Sequence, residues 1–466
     1  MNIKISMKMN NLCTNRKTRV LITGLLVLAF AAVNAQDTTS GVFQFNLEEC
    51  IRYAHEHQYT VNNAKLDVEL AESEVKETIG MGLPQVNGNV NFQDYLKLPT
   101  QLIPGEFFGG EPGTYIPVQF GTQYSLTYGA EATQLLFDGS YFVGLQAAKV
   151  YKDLSIKSLR RSRIESTIAV TKAYYTALVT QERLQLADVN IARIKKQLDE
   201  TKSLYENGFA EKIDLDRLQV LYNNTVTEKE GLVRLVGLNL HLLKFQMGMP
   251  VEARLELEET IEDIEFAPVT LLGEEINPEQ RVEYSLLQTQ EQLNELDWKR
   301  YKTTMLPRIE AFGSYNRNGQ ENDFGALFNG TGQYFPTTVV GLRISIPLIG
   351  GGQKWQQVKQ AKLSLLKTQN ELDNLRNAIS LEVRQATTAY INSMESMENQ
   401  ERNMELAEEV YRVSRIKYSQ GVGSSLEVTT AETSLKEAQT NYINALYDAL
   451  IAKIDLQKAK GTIETE

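Results

Sequence analysis

The sequence is poor in cysteine and histidine, and its longest segments lack proline. Its 466 residues include 2 cysteines and 3 histidines, too few for a Cys-rich zinc module or a disulfide framework. The net charge of −11 argues against nucleic acid as the main partner. No arrangement of a nucleophile with a general base is recognisable, so the sequence predicts neither an enzyme nor a cofactor or metal site.

The first 35 residues have the three parts of a secretory signal peptide. Five basic residues and no acidic residue precede the apolar run from Val20 to Ala32. This run is short for a membrane-spanning helix, and small residues precede a cleavage point between Ala35 and Gln36. We predict cleavage there, with an uncleaved anchor as the alternative. No later stretch approaches the ~20 apolar residues of a spanning helix, which leaves a soluble, a peripheral or a β-barrel protein.

The rest of the chain contains one unit twice. Residues 205–208 (Tyr-Glu-Asn-Gly) resemble residues 418–421 (Tyr-Ser-Gln-Gly), and Gly248 corresponds to Gly461, in both cases at a separation of 213 residues. A constant separation over such a distance excludes a net insertion. Rigid helices of fixed length impose that constraint.

Each unit shows two periodicities. Apolar and polar residues alternate near 85–93, 119–133, 308–316 and 340–346, which predicts two strands per unit. Between paired strands lie loops rich in proline and glycine, which exclude helix. The long remaining segments have helix-forming composition, with no proline from Ser140 to Asn207. They predict two pairs of long helices, near 140–207 with 212–245 and near 353–420 with 426–458. Shorter helices are predicted near 46–79 and 278–304.

Alternating strands usually form half-buried sheets in soluble proteins, but the predicted export favours a membrane barrel. Four strands cannot close one, since about eight is the usual minimum. Open edges in lipid would leave backbone groups unpaired, so several copies must combine. Three copies would leave a passage, but the strand count does not distinguish three from four copies.

These features resemble the TolC-type outer membrane efflux protein family. Leu-Pro opens the first strand of each unit, Gln134–Gly139 closes the first strand pair and Ile346–Gly352 closes the second. The resemblance implies a mainly α fold with β: long antiparallel helical hairpins forming a periplasmic α-barrel, and four strands per chain in a trimeric 12-strand outer-membrane β-barrel. The expected domains are a signal peptide (1–35), N-terminal helices (36–82), β-hairpin 1 (83–138), helical hairpin 1 (139–250), an equatorial connector (251–277), a helix (278–305), β-hairpin 2 (306–351), and helical hairpin 2 with the C-terminus (352–466).

The resemblance also implies sites at the two turns between long helices. In the family such turns contact a periplasmic adaptor protein, and plain turns without a partner are the alternative. The matching candidates are Gly208, Phe209, Ala210, Gly421, Val422, Gly423, Ser424 and Ser425. Acidic rings narrow the family's tunnel just beyond the second turn. Here Glu427 fits that pattern, whereas Thr430 departs from it. Asp214 is the equivalent of Glu427 in the first unit, and a solvated surface carboxylate is the alternative for both.

The implied function is the outer-membrane exit duct of a tripartite efflux or type I secretion system. The duct would be a passive conduit from periplasm to exterior, gated at the periplasmic helix tips. The implied partners are two further copies of the chain, outer-membrane lipid, a periplasmic adaptor (membrane fusion) protein and an inner-membrane pump of RND or ABC type. The alternative is an exported coiled-coil scaffold or adhesin with a soluble sheet. The sequence does not identify the cargo.

Overall fold

Four very long helices dominate the computed structural model of the protein. The structure describes residues 42–261, 264, 266 and 277–463, so the predicted signal peptide and its cleavage site lie outside the described residues. The helices are α1 (Leu47–His57), α2 (Tyr59–Met81), α3 (Gly139–Glu206), α4 (Lys212–Met247), α5 (Val282–Thr303), α6 (Gln353–Ser419) and α7 (Ser425–Lys460). The strands are β1 (Phe43–Phe45), β2 (Gln85–Asp94), β3 (Thr100–Pro104), β4 (Tyr115–Gln119), β5 (Tyr124–Phe137), β6 (Leu255–Leu257), β7 (Arg308–Glu321) and β8 (Tyr334–Ser345).

The two units have almost identical helix lengths. Helices α3 and α6 have 68 and 67 residues, and α4 and α7 have 36 residues each. At about 1.5 Å per residue, α3 and α6 are each roughly 100 Å long. The pairs α3–α4 and α6–α7, here called the first and second helical hairpins, each fold back at a short turn. The constant spacing in the sequence therefore follows from equal helix lengths.

The start of α3 is fixed by a side-chain cap. The Asp138 carboxylate accepts hydrogen bonds from the backbone N–H of Ser140 at 2.8 Å and of Tyr141 at 3.3 Å. These bonds satisfy donors that the first helical turn leaves unpaired. Burial raises the pKa of Asp138, but the hydrogen bonds from Ser140 and Tyr141 outweigh it, so the pKa is lowered. The cap is therefore charged at neutral pH and marks the transition from strand β5 to helix.

The four longer strands form one antiparallel sheet with the order β2-β5-β7-β8. The central pair β5–β7 joins the two units, with Tyr124 opposite Glu321 at one end and Phe137 opposite Ile309 at the other. Strands β2 and β8 form its edges. The sequence pattern predicts the two outer pairs, β2–β5 and β7–β8, but carries no signal for this central pairing.

The strand register collects most of the apolar residues on one face of the sheet. Val90 lies opposite Tyr128, and Val86 opposite Ala132. The same face continues across the sheet through further opposed pairs: Ala132–Gly313, Ala130–Tyr315, Gly313–Val340 and Ala311–Leu342. Val86, Val90, Val340 and Leu342 are all exposed. The opposite face is polar, since Thr127 Oγ1 donates to Asn318 Oδ1 at 2.9 Å and Asn318 Nδ2 donates to Thr337 Oγ1 at 3.1 Å.

Two loop predictions are wrong in detail. The first loop contains an additional antiparallel pair, β3–β4, with Leu102 opposite Pro117. Both loops also contain one short 3-10 helix, at Gly105–Phe108 and at Gly325–Leu327, although the loop composition predicts none. A single 3-10 turn needs few hydrogen bonds, so the breaker residues around it do not prevent it.

The predicted helix near 46–79 is interrupted at Gln58. Its backbone is extended, and it ends α1 and caps α2, with its side chain accepting from the N–H of Val61 at 3.1 Å. Glutamine is an uncommon cap, which explains why the break gives no sequence signal.

The main core lies where both units meet. Strand β1 pairs in parallel with β6, Phe43 opposite Leu255. Helix α1 buries Cys50 completely against residues of α3, α4 and α7, among them Tyr174, Leu243 and Leu450. Cys50 thus occupies a buried, apolar helical position. In the described residues, no helix is both long enough and apolar enough to cross a membrane.

Candidate functional site

The two turns that join the long helices have the same geometry. Gly208 and Gly421 have φ of +80° and +77°, a region that favours glycine because a side chain would be strained there. The following residues close the turns: Phe209 N–H donates to Leu204 C=O at 2.8 Å and Val422 N–H to Lys417 C=O at 3.0 Å. These bonds satisfy carbonyls at the helix ends. The structure thus accounts for the glycine at the end of each repeated motif.

Both turns expose one large apolar side chain. Phe209 is 82% and Val422 is 81% exposed. Ala210 is half-buried, and Ser424 caps α7 by accepting the N–H of Glu427 at 3.2 Å. Ser425, in contrast, is 5% exposed and is not available for an outside partner. Exposed apolar residues at a helix turn are suited to contact with another protein.

The acidic candidates near the turns differ in their surroundings. Glu427 lies in the first turn of α7 and is exposed, as is Thr430. Asp214 lies in the first turn of α4, half-buried, with Oδ1 3.7 Å from Arg217 Nη1. The adjacent cation offsets the charge of Asp214, whereas no ion pair involving Glu427 is found among the described residues. Of the two, Glu427 is the better placed to contribute negative charge.

Polar pairs connect α3 with α7 along their length. Thr176 Oγ1 lies 3.2 Å from the Tyr447 hydroxyl, Asn190 Nδ2 donates to Gln439 Oε1 at 3.0 Å, and Arg193 Nη1 lies 3.5 Å from Glu432 Oε1. From pair to pair, the residue number rises along α3 and falls along α7, as antiparallel packing requires. The two helical hairpins are therefore joined by polar contacts in this region, beyond the apolar core.

Glu432 is the most unusual residue of this contact. It is 2% exposed, and burial raises its pKa. The attraction of Arg193, the Tyr411 hydroxyl, and the attraction of Arg415 and Lys436 only partly oppose that effect. Arg193 also lies over the ring of Tyr411, 5.2 Å from its centroid. Sequence reasoning missed this group because charged residues are frequent on long helices. Its distinguishing property is burial between helices far apart in the chain.

A cleft of about 1240 Å³ lies between the ends of α3 and α6 beside this group. Its walls include Arg193, Gln197, Tyr411 and Arg415, and it extends to Phe209 at the first turn. Gln197 is 4% exposed, yet neither of its amide atoms has a hydrogen-bond partner in the described part of the chain. Buried polar groups are normally paired, so the contact between the hairpins is incompletely satisfied near the turns.

The histidines of α1 do not form a site. His55 Nε2 lies 3.0 Å from Thr167 Oγ1, while the His57 ring stacks on Tyr53 with a centroid distance of 4.0 Å. The two rings therefore have separate partners. No cluster of potential metal ligands is present among residues 42–261, 264, 266 and 277–463.

Comparison with known proteins identifies relatives over most of the chain. Residues 300–462 match the family described as outer membrane efflux protein. The outer membrane protein TolC of Vibrio cholerae is 21% identical over 95% of this chain and 96% of its own length. The alkaline protease secretion protein AprF of Pseudomonas aeruginosa is 22% identical over 71% of this chain and 68% of its own.

A solved structure shows the same fold. The Campylobacter jejuni CmeC outer membrane channel superposes with a TM-score of 0.70 at 15% identity, covering 89% of this chain and 85% of that one. The predicted fold class, long helical hairpins with four strands, is confirmed by this likeness. The resemblance of the chain to the TolC-type outer membrane efflux protein family is thus confirmed, in sequence over residues 300–462 and in fold over most of its length.

Proposed function

We propose that the chain is the outer-membrane exit duct of a tripartite efflux or type I secretion system. The observation that carries this proposal is the four-stranded sheet. One of its faces is mainly apolar and exposed, with Arg317 towards one end, and the other face is mainly polar. An apolar outer face with a polar inner face is the pattern of a membrane barrel around a water-filled lumen. The related TolC protein is an outer membrane protein, and we assign this chain the same location.

The edges of the sheet require partners. The edge strands β2 and β8 have 10 and 12 residues, almost all exposed. In lipid, the unpaired backbone groups at each edge would cost several kcal/mol apiece. When strand β2 of one copy pairs with strand β8 of the next, the backbone groups of both edges are hydrogen-bonded. Three copies paired in this way give a closed sheet of twelve strands. We therefore propose a homotrimer.

Helix α4 offers a second contact for a further copy. It carries four exposed apolar residues at intervals of three, four and three residues: Leu235, Leu238, Leu242 and Phe245. Spacing of three and four residues places the four side chains on one side of the helix. An exposed row of apolar side chains on a long helix is typical of an interface between helices. Contact along α4 would extend the closed wall from the sheet into the helical part.

Aromatic residues at one end of the sheet support its orientation in a membrane. Phe92 and Phe324 have ring centroids 5.8 Å apart, and Tyr124 lies 5.6 Å from Phe324. Aromatic rings concentrate at the boundary between lipid and water. This cluster would lie at the extracellular boundary, which directs the long helices into the periplasm.

The closed wall makes the chain a passive conduit without covalent chemistry. Its opening would be controlled at the turns around Gly208 and Gly421, where Phe209 and Val422 are exposed for a periplasmic adaptor. Gly423 and Ser424 keep the second turn small and polar. Energy and cargo selection would come from an inner-membrane pump of RND or ABC type.

Fractionation and conductance test this function. The full chain should require detergent for extraction, migrate as a heat-modifiable oligomer, and give stepwise ion currents in planar lipid bilayers. A protein that is monomeric and fully dispersed in buffer without detergent would contradict the proposal. In that case the scaffold or adhesin alternative would account better for the long helices.

A further inference from the structure

We propose that Glu432 and Arg193 form a proton-responsive joint between the two helical hairpins, which holds them together more tightly when Glu432 is protonated. The inference that this joint controls the opening of the duct rests on the proposed function. As a property of the folded chain, it can be measured without any transport. Its residues belong neither to the turns nor to the acidic candidates Glu427 and Asp214.

The geometry shows an ion pair that only partly compensates a buried charge. The shortest Glu432–Arg193 separation, Oε1 to Nη1, is 3.5 Å, longer than a good charge-assisted hydrogen bond. The second oxygen of Glu432, Oε2, has no hydrogen-bond partner within the described residues. A buried carboxylate whose nearest cation is this distant is costly while it is ionised. Separation of the hairpins would return it to water and remove that cost.

The polar groups next to the joint are also unsatisfied. Thr201 is fully buried and Ser425 is 5% exposed, and the hydroxyl of each has no partner in the described ranges. Both lie on the turn side of Glu432, as Gln197 does. Further from the turns, Asn190 and Gln439 still form their bond. Among the residues that the structure describes, the contact between the hairpins thus contains several unpaired buried polar groups around Arg193 and Glu432 and towards the turns.

The charged and titratable groups around Glu432 come from three helices. Arg193 faces it from α3, Tyr411 and Arg415 from α6, and Lys436 from its own helix α7. Burial raises the pKa of Tyr411 to about 12, so this hydroxyl stays neutral. Arg415 and Lys436 each have another acid, Glu200 at 3.7 Å and Glu228 on α4 respectively. Glu432 is therefore the carboxyl group of this set whose pKa is raised towards neutral pH.

The sign of the pH effect follows from linkage. The raised pKa means that the joined state binds a proton more tightly than a state in which Glu432 is exposed, with its ordinary pKa of 4.5. The joint is therefore strongest below pH 4.5 and weakens as the pH rises towards the raised pKa of Glu432. Across that window, the ratio of separated to joined hairpins should rise by up to about tenfold per pH unit. Above the raised pKa the ratio becomes constant.

The test measures the distance between the two turns in the purified full chain. Spin labels are attached at Phe209→Cys and Val422→Cys, both exposed sites, in a background carrying Cys13→Ser. Cys50 is fully buried, so it does not react. Pulsed electron paramagnetic resonance then gives the distance distribution at several pH values. The widely separated population should grow with pH in the wild-type background and stay constant, at the acidic wild-type level, in Glu432→Gln.

Matched variants separate this role from a general effect of charge. Glu437→Gln removes an exposed carboxylate of the same helix and should retain the wild-type response. Arg193→Met should move the response to higher pH, and Arg193→Lys should restore much of it. A wild-type distribution independent of pH, or a Glu432→Gln variant that keeps the response, would overturn the inference. Absence of ion currents would contradict the proposed duct and leave this measurement unaffected.

Discussion

Replacing Val340 by lysine tests whether the apolar face of the sheet contacts lipid. Val340 is 82% exposed and lies midway along β8, opposite Gly313 of β7. A lysine facing lipid near the bilayer centre costs about 2–4 kcal/mol in a membrane barrel. Three copies in one assembly would raise this cost to about 6–12 kcal/mol. Val340→Lys should therefore prevent stable insertion or strongly lower the temperature at which the oligomer dissociates.

The neighbouring Val339 provides the control. It is 43% exposed and lies opposite Ser314, on the polar face. Val339→Lys should insert normally and change the ion selectivity of the lumen instead. Refolding into lipid vesicles, followed by electrophoresis with and without heating, measures both variants. Equal behaviour of the two would refute the assignment of the faces, and with it the argument for a barrel.

The other predictions concern the turns and one buried ion pair. Glu427→Ala should raise single-channel conductance and weaken block by multivalent cations, because a negative charge would leave the narrow end; unchanged currents in planar bilayers would remove Glu427 from the gate. Gly421→Ala should destabilise the protein by about 1–2 kcal/mol because φ is +77° there, whereas Gly144→Ala, inside α3 with open space around it, should be neutral or stabilising in thermal unfolding. Burial raises the pKa of Glu283, but its hydrogen bond from Arg281 outweighs this and lowers it. The stabilisation that ionised Glu283 provides should therefore be present above the ordinary pKa of 4.5 and decline as the pH falls below it. In denaturant titrations, the free energies of unfolding of wild type and Glu283→Gln should converge at low pH.

The long helices and the strand faces could be predicted because each depends on local pattern. The segment from Ser140 to Asn207 lacks proline and is rich in helix-forming residues, which predicts helix. The structure has helix from Gly139 to Glu206. Alternation in β8 and its neighbours correctly separates apolar from polar faces, because the side-chain period of a strand is two. The predicted domain boundaries and the roles of the turn residues stay predictions.

The missed features depend on contacts between distant parts of the chain. Proline and glycine in the first loop predict irregular structure, yet Leu102 and Pro117 belong to an additional strand pair. Proline is tolerated there because, among the described residues, β3 and β4 form a two-stranded sheet in which each strand is an edge strand. Glu432 appears in the sequence as one of many acids, and its burial follows only from the packing of α7 against α3.

The position of the main core has a consequence for how the chain acquires its structure. Val170 and Tyr174 from the first unit pack with Leu450 and Ile454, which lie close to the C-terminus. Contacts between residues so far apart form slowly, because closing a long loop costs entropy before the contact returns stability. A chain translocated from its N-terminus would display incomplete apolar surfaces until the last helix emerged. Such a nascent protein is prone to aggregation and should depend on holding chaperones during its passage to the membrane.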